Sequence, residues 1–140
     1  MQANEAVSSA YLLIFRESSP ETYQAMSPNQ KQDLLDQWNH WYDGLAAEGK
    51  VKNGHPLLPE GRVISGTHGE RVLDGPYAEG KEAIGGFFFL TVSSLDEATA
   101  IAKQCPSLRY GLIAEVRPVA ERCPVLSQTE QELSGTLISA

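Results

Sequence analysis

Apolar and polar positions along the chain change period several times, and each change marks an element. Residues 9–15 carry the unbroken apolar run Tyr11-Leu12-Leu13-Ile14-Phe15, too short for a lone helix and rich in strand formers, which predicts a first strand. After a polar connection, Ser27-Pro28-Asn29-Gln30 supplies an N-cap, a proline at the first helical position and a Gln three residues past the cap. The helix that starts there repeats Leu34, Leu35, Trp38, Trp41, Tyr42 and Leu45 at helical spacing, with Gly49 as its C-cap. Strands over 51–57, 62–65 and 71–73 follow, the last two joined by the turn Thr67-His68-Gly69-Glu70. The strongest strand pattern covers 85–92. Ser94-Leu95-Asp96-Glu97 then caps a second helix whose Leu95, Ala98, Ile101, Ala102 and Cys105 share one face until Pro106 stops it. Residues 110–119 form the last predicted strand, with Pro118 near its end.

Strand, helix, strand, a pair of short strands, strand, helix, strand is an α+β order. Its economical solution is a ferredoxin-like antiparallel sheet with two helices on one face. The runs 11–15 and 87–90 are apolar at consecutive positions, although neighbouring side chains point to opposite faces of a sheet. Both faces must therefore be dry, and no third long helix is predicted to cover the second. A second copy of the protein is the simplest cover, making a dimeric α/β barrel. Four large side chains buried at about 2 kcal/mol each favour it by on the order of 8 kcal/mol before entropic costs. The competing cover is a tail, residues 121–140, with Val125, Leu126, Leu133, Leu137 and Ile138. Residues 1–120 make the domain, since no repeat, low-complexity segment or linker divides it.

The net charge of −7 and a pI near 4.9 argue against a nucleic-acid partner, because the eleven Lys and Arg form no basic stripe. The same charge argues against a membrane surface. No apolar run is long enough to span a bilayer, and residues 1–9 lack the basic start and apolar middle of a signal peptide, which leads to a cytoplasmic expectation. Two cysteines, Cys105 and Cys123, form no disulfide framework and no metal set.

For chemistry the eye goes to Asp74-Gly75-Pro76-Tyr77, a turn in which Asp bonds its own following backbone, Gly permits positive φ and Pro fixes φ. Asp74 either caps this turn or is an acid held in a cleft. Together with Glu79-Gly80-Lys81-Glu82, Gly85-Gly86-Phe87, Ser94-Leu95-Asp96-Glu97-Ala98, Tyr110-Gly111 and Glu115-Val116-Arg117-Pro118-Val119, this motif resembles the DGPF branch of the YCII-related family over about residues 9–119. The resemblance implies a ferredoxin-like fold that dimerises through its sheets into a barrel. It also implies relatives of two kinds: enzymes with a His and Asp pair in the cleft, one a dehydrochlorinase of chloroaromatic breakdown, and proteins linked with sigma factors.

The acid of that pair falls on Asp74. The histidine position lies on the first helix, where His40 is the histidine, although counting back from Glu48-Gly49 brings Trp38 nearer the matching place; His55 is the substitute. His68 belongs to its turn. The implied chemistry is proton transfer without a cofactor, elimination or isomerisation on a small organic molecule, with Asp74 and His40 catalytic. His55, Tyr77, Lys81 and Arg117 are candidates for holding the substrate, Lys81 and Arg117 being better read as solvated charges or as ion pairs with Glu82 or Glu115. The rival is a dimeric small-molecule-binding or regulatory module associated with transcription control. No metal is expected, the three histidines lying in unrelated segments, and Gly80 to Gly86 runs into a strand rather than the helix a phosphate loop needs.

Overall fold

The computed structural model describes residues 9–17, 21–75 and 83–126. Four strands form one antiparallel sheet in the order β2-β5-β1-β6: β2 is Val51–Pro56, β5 Ala83–Leu90, β1 Tyr11–Glu17 and β6 Ile113–Pro118. The hairpin β3 (Gly61–Ser65) and β4 (Arg71–Gly75) makes a separate two-stranded sheet inserted between β2 and β5. A short helix α1 (Glu21–Gln24) precedes the long α2 (Pro28–Ala47), and α3 (Leu95–Ala102) precedes β6. This is the ferredoxin-like α+β arrangement expected from the element order.

Both helix starts form as the sequence dictates. Gln30 N donates to Ser27 Oγ at 3.1 Å while Ser27 N donates to Gln30 Oε1 at 2.8 Å, and Glu97 N donates to Ser94 Oγ at 3.0 Å. Each bond satisfies a backbone donor that the first helical turn leaves unpaired. The boundaries move where backbone pairing differs from the apolar run. β1 extends to Glu17 because Arg16 and Glu17 still pair with Ile84 and Ala83. β6 starts only at Ile113, because Leu108–Tyr110 winds into a 3-10 turn ended by Gly111 at φ 95°. Leu35 and Leu95, predicted to face the core, are about half exposed.

The core lies between the helices and one sheet face. Tyr11, Leu13 and Phe15 of β1 alternate inward with Phe88 and Leu90 of β5, against Trp41 and Leu45 of α2 and Ala98, Ile101 and Ala102 of α3. Aromatic edges lock it: Phe15 meets Trp38 at 4.9 Å and Phe88 at 5.0 Å, both near 90°. On the opposite face Leu12 pairs across from Phe89 and Ile14 from Phe87, flanked by the Arg16–Glu115 ion pair at 2.7 Å. The second face is therefore apolar at its centre in the structure as in the sequence. The β3–β4 hairpin also leaves Ile64, Val72 and Leu73 exposed. Among the described residues no helix is long and apolar enough to cross a membrane.

Candidate functional site

A cavity of about 530 Å³ opens where the ends of β1, β2 and β5 meet α2. Strand parity places its chemistry. Phe15 faces the helices, so Glu17, two residues on, points its carboxyl to the same side. Helix α2 supplies Leu34, Trp38 and Tyr42 at successive four-residue steps, with Leu35 and Asn39 beside them. The floor is kept low by glycine. A Cβ on Gly54 would come within 2.4 Å of Phe88 Cδ1, and one on Gly86 within 2.9 Å of the His55 carbonyl oxygen. At Gly85 a Cβ would stand 3.6 Å from Glu17 Cδ, so glycine here leaves space beside the carboxyl.

Tyr23 of α1 and Ser107, after α3, close the far wall. Ser107 is only 1% exposed; its hydroxyl accepts from Trp38 Nε1 at 2.9 Å and is hydrogen-bonded to the Tyr23 phenol. Burial raises the Tyr23 pKa, the Ser107 bond working against it and the nearby Glu17 charge adding to it. Partial burial likewise holds the Glu17 carboxyl above its ordinary value of 4.5, and among the described residues no hydrogen bond or cation offsets it. The Cys105 thiol, close enough to feel Glu17, is pushed by burial up to about 11 and stays protonated at neutral pH. The arrangement is an aromatic slot with one half-buried acid, suited to holding a flat molecule and exchanging a proton with it.

The residues singled out from sequence are dispersed. Asp74 sits on the β3–β4 hairpin with its side chain 95% exposed, 3.5 Å from Arg62 Nε, and lines neither this cavity nor the hollow that contains His40. His40 is exposed on α2 in that shallow hollow, beside Asp36, Gln37, Gln104 and Pro106. There the buried Trp41 Nε1 has no acceptor. His55 does border the cavity. It pairs with Phe87, whose ring lies 5.9 Å from the imidazole, whereas the adjacent Gly54 faces Phe88; the ring therefore lies on the sheet's other face. Arg117 is exposed on β6 across from Leu12. Tyr77 and Lys81 lie outside the described residues. Glu17, Tyr23 and Ser107 had no motif to mark them. Among the described residues no three His, Cys, Asp or Glu side chains gather as a metal site would require.

Comparison with known proteins adds the family. No curated protein matches this chain. The solved 5-chloro-2-hydroxyhydroquinone dehydrochlorinase (TftG) from Burkholderia phenoliruptrix AC1100, in complex with 2,5-dihydroxybenzoquinone, is similar at 19% identity and TM-score 0.47, over 80% of this chain and 95% of that one. Residues 10–122 match the model of the YCII-related domain, most of the chain's length, and the protein belongs to the YCII-related family.

Proposed function

We propose that the cavity between α2 and the sheet is the site of a small-molecule enzyme that works by general acid–base catalysis, with Glu17 as the proton carrier. One observation carries this reading: a half-buried carboxyl with no hydrogen-bond or ionic partner among the described residues stands in the wall of an otherwise largely apolar and aromatic cavity. Even half-burial costs free energy that a fully solvated acid avoids, and perturbed acids in clefts are enriched at proton-transfer sites. A raised pKa brings the carboxyl nearer the working pH, where it is an effective base and then an effective acid. The phenol of Tyr23, tied to Ser107, is a second polar group on the same wall.

The chemistry this supports is the removal of a proton from a carbon of the ligand by the Glu17 carboxylate. Isomerisation returns that proton to another ligand atom. In elimination, the C–H electron pair becomes the new double bond while a leaving group departs with its own pair. Asp74 and His40 take no part in this reading. The test is hydrogen exchange in D2O. Small hydroxy-substituted cyclic ketones and phenols are incubated with the protein, and loss of C–H signal is followed by NMR. Wild type is expected to wash out a C–H at least about 100-fold faster than Glu17→Gln with one of them. Equal rates for both proteins, with the variant folded, would remove Glu17 from the chemistry.

A further inference from the structure

We infer that the ligand of this cavity carries a hydrogen-bond donor and no negative charge: an alcohol, a phenol or an amine on a small ring. This rests on reading the cavity as the site and adds the charge and polarity of its occupant. An ionised carboxylate is acceptor-only, and among the described residues Glu17 has no donor facing it, so the space beside Gly85 suits a ligand O–H or N–H.

The rest of the lining says what the ligand cannot be. Among the described residues no Lys or Arg reaches the cavity, and the imidazole of His55 lies against Phe87 on the other sheet face. The Ser107 hydroxyl is already engaged with Trp38 and Tyr23. A carboxylate or phosphate ligand would lose its hydration next to a like charge, facing ring faces that are themselves negative, in a protein of net charge −7. Each of these terms opposes an anion, and none opposes a neutral or cationic donor.

Ligands of one ring and one size separate the possibilities. Benzyl alcohol, benzylamine, benzoate and ethylbenzene are titrated into the intact protein by calorimetry. The Trp38 indole N–H resonance reports whether binding occurs at this cavity. Benzyl alcohol and benzylamine are expected to bind at least about ten-fold more tightly than benzoate, and more tightly than donor-free ethylbenzene. In Glu17→Gln, whose neutral amide also offers a donor, the preference of alcohol over benzoate is expected to shrink by about five-fold or more. Benzoate binding as tightly as benzyl alcohol, ethylbenzene matching the alcohol, or an unchanged preference in Glu17→Gln would each overturn the inference while leaving the cavity as a binding site. If none of the four moves the Trp38 resonance, the cavity reading falls with it.

Discussion

Replacing Gly54 with alanine places a methyl group where the Phe88 ring already lies. The added carbon would stand 2.4 Å from Phe88 Cδ1, 3.1 Å from its Cε1 and 3.0 Å from the Phe87 carbonyl oxygen. Carbon pairs settle at about 3.5–4.0 Å, so the ring must retreat by roughly 1 Å. It cannot do so freely: Phe15 and Trp41 lie 5.0 Å away centre to centre, and Tyr42 5.2 Å. The open side is the cavity itself. Overpacking of this kind costs about 1–3 kcal/mol, and for a domain of this length about 2 kcal/mol lowers Tm by roughly 8 °C. Thermal and urea melts followed by far-UV circular dichroism measure it. Adding Phe88→Leu to Gly54→Ala relieves the collision, so the double variant should lose less than the sum of the two single losses, by about 1 kcal/mol. A Gly54→Ala protein within about 0.5 kcal/mol of wild type, with the two losses simply adding, would refute the claim that this glycine exists to admit the ring.

Other expectations follow from the same contacts. Because burial raises the Glu17 pKa, the folded state holds that proton more tightly than the unfolded chain does; the destabilisation is absent below pH 4.5 and complete above the folded pKa. Glu17→Gln should therefore be more stable than wild type at pH 7, the advantage vanishing as pH falls below 4.5, and a less stable variant at neutral pH would contradict this. Ser107→Ala strips Trp38 Nε1 of its acceptor and is expected to cost about 1–3 kcal/mol in urea melts, whereas a loss below about 0.5 kcal/mol would mean the bond matters little. Asp74→Asn breaks only an exposed ion pair and should stay within about 0.5 kcal/mol of wild type; a larger loss would reveal a structural role for the hairpin acid. A second copy seated on the half-buried Leu12, Phe87 and Phe89, around the buried Ile14, is proposed as the cover of this sheet face, so sedimentation should show a dimer that Phe89→Asp converts to monomer; a wild-type monomer at high concentration would remove the proposal.

The fold was largely legible because its signals are local. Ser27 and Ser94 carry their own caps, Leu34 to Leu45 repeat at the helical period, and the runs 11–15 and 87–90 announce a two-sided sheet. The site was not, because it is assembled from parity and absence. Ending the first strand at Phe15 left Glu17 without a face; two more residues of pairing assign it to the helix side. Gly54 and Gly85 matter for side chains they lack, and what each would collide with is set by a neighbouring strand. Ser107 is joined to Trp38 across 69 positions, a separation no motif spans. Asp74 had the stronger sequence signal because turn chemistry is local, yet its side chain projects into solvent from a hairpin.

The central claim is that Glu17 is a half-buried acid facing a ligand cavity, and carbon NMR of its side-chain carboxyl tests that most directly. Titration should give a pKa above 4.5 that moves when benzyl alcohol is added, with the Trp38 indole resonance shifting in step. A carboxyl that titrates at or below the ordinary value and ignores the ligand would contradict the account.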